Sequence, residues 1–143
     1  MHPAFCFLPA EPLPPLRGGR LDGWVIPAKD TADVAGWPTT WGSPRRGLIA
    51  TDTSPFLNKL RRQGATINGK TVTSELGATI YAERDDVPLL SSPAYPGCTP
   101  GGSSSGAAVV VADDLHRAAH GSDAGGSLRV PAAACEVVGF KPA

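Results

Sequence analysis

Residues 120–133 read HGSDAGGSLRVPAA. Three glycines, two serines, an aspartate and an arginine fall within fourteen residues, and apolar sequence follows. On their own these residues indicate a tight turn running into a short helix over 129–135. A serine held in such a turn, Ser127, is a candidate nucleophile. The segment is not the GxSxG elbow of α/β-hydrolases, because Leu128 and Arg129 follow the serine. A partner histidine is also missing from the expected places. His2 is terminal, and His116 and His120 lie just upstream; His120 reads as a strand-end or surface residue, and approaches Ser127 only if the glycine turn folds back on itself.

Lysine is the other side chain able to take a serine proton, provided burial or nearby positive charge lowers its pKa from about 10.4. Lys59 belongs to a basic helix end and Lys141 lies at the C-terminus. Lys70 follows a glycine after a short apolar run, and Lys29 follows WVIPA, which can draw it inward. Spacing alone leaves the choice open. On spacing alone, the favoured reading has Lys29 paired with Asp30 or Asp33 at the surface.

Upstream of the glycine-rich turn lies TPGGSSSG, residues 99–106. Glycine-rich loops before a helix can hold phosphate. Here no lysine completes GxxxxGK[ST], and GxGxxG is absent, so the pattern fits a turn with serines capping a buried helix over 103–112. The run Val109–Val111 is also compatible with a strand.

Further out, TDTSPFLNKLRRQG (51–64) has the start and stop signals of a helix. Thr53 or Ser54 is the cap, Pro55 sits in the first turn and Gly64 follows the end. Phe56, Leu57 and Leu60 are its apolar face, while Lys59, Arg61 and Arg62 read as a solvated helix end. Short strands are expected at 24–26, 65–69 and 137–140. A helix is expected to begin in 70–77, capped by Thr73 or Ser74, and loops at 31–51 and 85–100. Residues 1–20 form a Pro-rich lead-in. Alternating helices and strands favour an α/β fold.

Composition narrows the function classes. The 143 residues carry 13 Lys+Arg and 13 Asp+Glu, a net charge of +0, which gives no reason to expect nucleic acid or an anionic membrane as partner. Cys6, Cys98 and Cys135 lack CxxC spacing, so they read as reduced thiols in a cytoplasmic protein rather than as a disulfide framework or a zinc site. The first sixteen residues have no basic leader and are broken by prolines, so neither a signal peptide nor a membrane span is expected.

Taken together, several stretches resemble the amidase signature family. TPGGSSSGAA followed by GSDAGGSLRVPAAACEVVGFKP is similar to that family's GGSS-G turn, its G-[ST]-D-x-G-G-S-[IL]-R-x-P-A segment and its G-[FL]-K-P end. AKDTADVAGWPTTWGSP resembles the family's VKD…DVAG-PTT-GSP segment, and LRRQGATINGKTVTSELG its L…GA-I-GKT---EL stretch. The resemblance spans roughly residues 20–143, with the motifs in order.

The resemblance implies a mixed β-sheet flanked by helices and a Ser-cisSer-Lys amidohydrolase. It implies that Ser127 is the acyl-forming nucleophile, and that Ser103, after a cis peptide bond, is the bridging serine. Lys29 is then the base. The backbone N–H groups of Ala124, Gly125, Gly126 and Ser127 form the oxyanion hole, with Asp123 and Arg129 as braces. No cofactor and no metal are implied, and the substrate is a small linear amide.

The family domain is several hundred residues long, so the expectation is a partial domain, 21–143, lacking the C-terminal half. Such a chain is active as it stands, an inactive truncated product, or completed by a partner chain or homo-oligomer covering an exposed face. The family's glutamine-hydrolysing amidotransferase subunit is a further reading. Departures from the family pattern are Ala28 before the base, Glu136 in place of Gly, and Asp114, Arg117 and His120 on a segment that the family buries.

Overall fold

The computed structural model describes residues 1–81 and 89–143. Four of the sixteen residues expected as loop over 85–100 lie outside them; the other twelve, 89–100, carry no helix or strand. A three-stranded mixed sheet organises the molecule, with strands β1 (Phe5–Phe7), β2 (Ala28–Lys29) and β5 (Lys70–Thr71) in the order β1-β5-β2. β1 runs antiparallel to β5, and β2 runs parallel to it, with Ala28 opposite Lys70 and Lys29 opposite Thr71. A second pair, β3 (Pro38–Thr39) and β4 (Leu48–Ile49), is antiparallel.

The expected strand at 65–69 is therefore displaced. Thr66 and Ile67 make only single bridges, to Val25 and Leu13, and the ladder itself begins at Lys70. The expected helix start at 70–77 splits for the same reason. Lys70 and Thr71 are drawn into the central strand, and only Glu75–Gly77 coil, as one 3₁₀ turn after Ser74.

Helix α1 (Pro55–Arg61) forms where its signals place it, with Leu57 fully buried. Ser54 is at the cap position, but its hydroxyl accepts the N–H of Asp33 at 2.8 Å instead of capping its own helix. Phe56 is 53% exposed rather than part of the core face. The basic helix end does more than face solvent. Arg61 donates to the Pro14 carbonyl at 2.8 Å, and Arg17 donates to the Arg62 carbonyl at 3.0 Å, which ties the Pro-rich lead-in down.

Helix α2 (Ser105–Ala112) is the buried helix expected from the sequence. Its valines disfavour helix at χ1, but Val109 and Val110 are buried, and each such burial is worth roughly 1.5–3 kcal/mol. Gly106 lets α2 approach the sheet. A Cβ there would lie 2.4 Å from the Ala4 carbonyl oxygen and 2.6 Å from the Val72 nitrogen. Two apolar clusters flank the sheet. One is built on Ile26, Val34, Leu57 and Ile67, the other on Phe5, Val109, Val110 and Cys135.

Helix α3 (Arg129–Ala134) ends at Cys135 and Glu136. Glu136 has φ +56, a conformation that glycine adopts without strain, which accounts for glycine as the family's usual residue there. The expected buried strand at 137–140 does not form. Val137 N–H turns back to the Ala132 carbonyl, no described strand lies beside the segment, and Val138 and Phe140 are 95% and 77% exposed. Asp114 and Arg117 are exposed, so the expected burial of unpaired charge is not met. The Arg117 guanidinium lies 4.6 Å from the Trp24 ring centroid. Among the described residues no helix is long and apolar enough to cross a membrane.

Candidate active site

β2 carries Lys29 into the interior, where it is 0% exposed. The residue before it, Ala28, is equally buried. Lys29 Nζ donates to Ser103 Oγ at 2.7 Å and to Ser122 Oγ at 2.8 Å. Burial pushes the Lys29 ammonium down to about 8, and the Asp123 carboxylate offsets part of that effect. Neither surface pairing considered from the sequence occurs. The Asp30 carboxylate instead faces Lys70, with Nζ to Oδ1 at 3.1 Å and both side chains at most 1% exposed.

That Asp30–Lys70 pair is buried next to Lys29 in the chain and in the sheet. Asp30 also accepts the N–H groups of Thr40 and Gly42 and the hydroxyl of Thr40. Lys70 Nζ donates further to Thr39 Oγ1 at 3.0 Å and to the Pro38 carbonyl at 3.1 Å. The pair lies beside Lys29 on adjoining strands, so it fixes the backbone that presents Lys29. Sequence reasoning leaves Lys70 undistinguished because its carboxylate partner lies forty positions away.

Ser103 follows a cis peptide bond, Gly102–Ser103, and is 1% exposed. The next residue joins the two glycine-rich loops. Ser104 N–H donates to the Ser127 carbonyl at 2.9 Å, Ser104 Oγ donates to the Ser122 carbonyl, and Ser122 N–H returns to Ser104 Oγ. Sequence reasoning misses both Ser104 and Ser122 as site residues. Each lies inside a motif, but its partner becomes visible only once the loops are folded together.

Ser127 is half-buried and shares a cleft of about 390 Å³ with Ser103, Ser122, Ala124, His120 and Trp41. Lys29 is not among the residues lining that cleft; it sits behind Ser103 and Ser122. Exposure therefore rises from Lys29 through Ser103 to Ser127. Ser127 Oγ makes no hydrogen bond among the described residues, so the contact between Ser103 and Ser127 is not formed in this structure.

Asp123, with its side chain 1% exposed, organises the loop before Ser127. It takes a two-pronged contact from Arg129, Nε at 2.8 Å and Nη2 at 3.0 Å, and also accepts the N–H of Gly126, Leu128 and Arg129. The Arg129 guanidinium, together with these backbone N–H groups, holds the Asp123 carboxyl well below the usual carboxylate range.

The Gly126 N–H, expected among the anion-binding donors, donates to the Asp123 carboxylate at 2.7 Å in this structure. The N–H groups of Ala124, Gly125 and Ser127 have no hydrogen-bond partner among the described residues. The two glycines also differ. Gly126 has φ +120, whereas a Cβ on Gly125 would meet nothing within 4 Å. Gly126→Ala is accordingly expected to lower stability by roughly 1–2 kcal/mol, and Gly125→Ala by less than about 0.5 kcal/mol, in urea denaturation. Equal effects would show that the loop does not hold this conformation.

His120 is half-buried and is among the residues lining the same cleft as Ser127. Among the described residues no group of three or more His, Cys, Asp or Glu is placed to hold a metal ion.

The sequence profile described as Amidase matches residues 13–143. Amidase 1 of Oryza sativa subsp. japonica is 40% identical over 134 residues, covering 92% of this chain and 31% of that protein. The crystal structure of a glutamyl-tRNA(Gln) amidotransferase subunit from Thermotoga maritima superposes with a TM-score of 0.88 at 31% identity, covering 97% of this chain and 31% of that one. A 6-aminohexanoate cyclic dimer hydrolase complexed with substrate gives a TM-score of 0.75 at 33% identity, covering 82% of this chain and 25% of that one. The chain thus spans about a third or less of the length of the relatives it matches.

Proposed function

Since the chain belongs to the Amidase family, we propose that its cleft hydrolyses the carbon–nitrogen bond of a small linear amide through an acyl-serine intermediate. The carrying observation is a fully buried lysine whose amine touches a buried serine hydroxyl at the floor of a cleft that also holds Ser127. Neutral Lys29 Nζ takes the proton of Ser103 Oγ as Ser103 takes the proton of Ser127, once a side-chain rotation brings the two hydroxyls together. Ser127 Oγ then bonds to the amide carbon. The oxyanion is held by the N–H groups of Ala124, Gly125 and Ser127, each such donor being worth about 3–4 kcal/mol of barrier.

The relay then runs backwards. Lys29 returns the proton through Ser103 to the amide nitrogen, the C–N bond breaks, and ammonia or an amine leaves. Water next gives its proton to the same relay and attacks the ester carbon, releasing the carboxylate and restoring Ser127. Ser122, the second partner of Nζ, keeps the amine aimed at Ser103. The relay contains no cofactor. We place the protein in the cytoplasm.

A fluorophosphonate, which phosphonylates activated serines, tests this. The chain is expected to gain one adduct, located at Ser127 by mass spectrometry and absent from Ser127→Ala. A folded chain that gains no adduct, or equal labelling of the Ser127→Ala variant, refutes the proposal for this chain. A second reading draws on the exposed Val138 and Phe140 beside the groove between α2 and the 137–140 segment. Under it, the cleft is completed by further polypeptide packed on that face. Its signature is self-association, measured by sedimentation.

A further inference from the structure

His120 is fixed to β2 by two bonds. Its N–H donates to the Pro27 carbonyl at 2.9 Å, and its Nδ1 accepts the Lys29 N–H at 3.2 Å. A ring nitrogen that accepts a backbone N–H carries no hydrogen of its own, so in the neutral imidazole the hydrogen sits on Nε2. The ring is neutral at pH 7, because burial, then Lys29 and Lys70, push it down to about 4. The Phe56 ring lies against it in a tilted contact, with centroids 5.4 Å apart and planes at 35°. Nε2–H has no hydrogen-bond partner among the described residues, and His120 is one of the residues lining the cleft that holds Ser103, Ser122 and Ser127.

The cleft therefore contains a side-chain donor whose tautomer and position are set by its bonds to β2, and which the proposed relay does not use. We propose that His120 determines substrate specificity, its Nε2–H donating to a second oxygen on the acyl chain of the amide. The preferred substrates are short-chain amides with a hydroxyl, ether or carbonyl oxygen one or two carbons beyond the scissile carbonyl. Amides with a plain alkyl acyl chain leave the donor facing apolar atoms and bind less well. This rests on the reading of the cleft as an amide site.

The test is binding to the Ser127→Ala chain, labelled with 15N-histidine. Two isosteric pairs serve as probes: methoxyacetamide against butyramide, and 3-methoxypropionamide against valeramide. The ether amide of at least one pair is expected to bind about threefold to tenfold more tightly and to shift the His120 Nε2 resonance. The unliganded ring is expected to show its hydrogen on Nε2 alone. His120→Asn, whose side-chain oxygen can still accept the Lys29 N–H, is expected to abolish the preference. His120→Gln, whose amide nitrogen reaches the Nε2 position, is expected to restore it. Equal binding within both pairs, no binding of any probe, or a hydrogen on Nδ1 overturns the proposal. Ether preference in a chain whose Ser127 takes no fluorophosphonate leaves the specificity assignment standing and overturns the hydrolytic reading.

Discussion

Lys29→Ala is expected to slow fluorophosphonate labelling of Ser127 by roughly 10²–10⁴-fold near neutral pH, the range typical of losing a positioned general base. The reason is geometric before it is electrostatic. Among the described residues Lys29 Nζ hydrogen-bonds only to the hydroxyls of Ser103 and Ser122, which line the cleft while Lys29 does not. Without the amine, Ser103 has no group to pass a proton to. His120 cannot substitute, since its one unprotonated nitrogen is occupied by a backbone N–H. Lys29→Met, which keeps most of the buried stem, should slow labelling equally while disturbing packing less. Labelling of either variant within about threefold of the native chain would remove Lys29 from the mechanism.

Lys70→Met is expected to destabilise the fold by about 3–5 kcal/mol, read from urea denaturation. The variant strands the Asp30 carboxylate in the interior, at 1% exposure, with Thr40 and Gly42 as its remaining donors among the described residues. An unpaired buried charge is far more costly than a missing pair. The double variant Asp30→Asn/Lys70→Met is therefore expected to recover part of the loss, and the cycle measures the coupling. A loss below about 1 kcal/mol for Lys70→Met would show that the pair does not hold β2 against β5. Since Lys29 follows from the same strand register, Lys70→Met should also slow Ser127 labelling in whatever fraction stays folded.

What the chain reveals before folding is uneven, and the reason is local. Helix α2 and the two glycine-rich turns are legible because each is specified within about ten consecutive residues. Glycines, serines and the following apolar run all agree there. The choice between Lys29 and Lys70 is not legible in the same way. Both follow short apolar stretches, both are buried, and only the parallel pairing of β2 with β5 gives one a carboxylate and the other two hydroxyls.

Segment 137–140 shows the opposite failure. VVGF has strand composition, but a strand exists only beside another strand, and none of the described residues supplies one. His120 misleads because a polar residue before a turn is usually solvated. Its acceptor role requires Lys29 N–H, ninety-one positions earlier.

The most direct test of the central claim is the pH dependence of Ser127 labelling by the fluorophosphonate. A base that works only as the neutral amine, with its ammonium drawn down to about 8, predicts a labelling rate that climbs as pH rises through about 8 and levels off above it. A rate that keeps climbing past pH 10 without a plateau, or a plateau that survives in Lys29→Met, would contradict it.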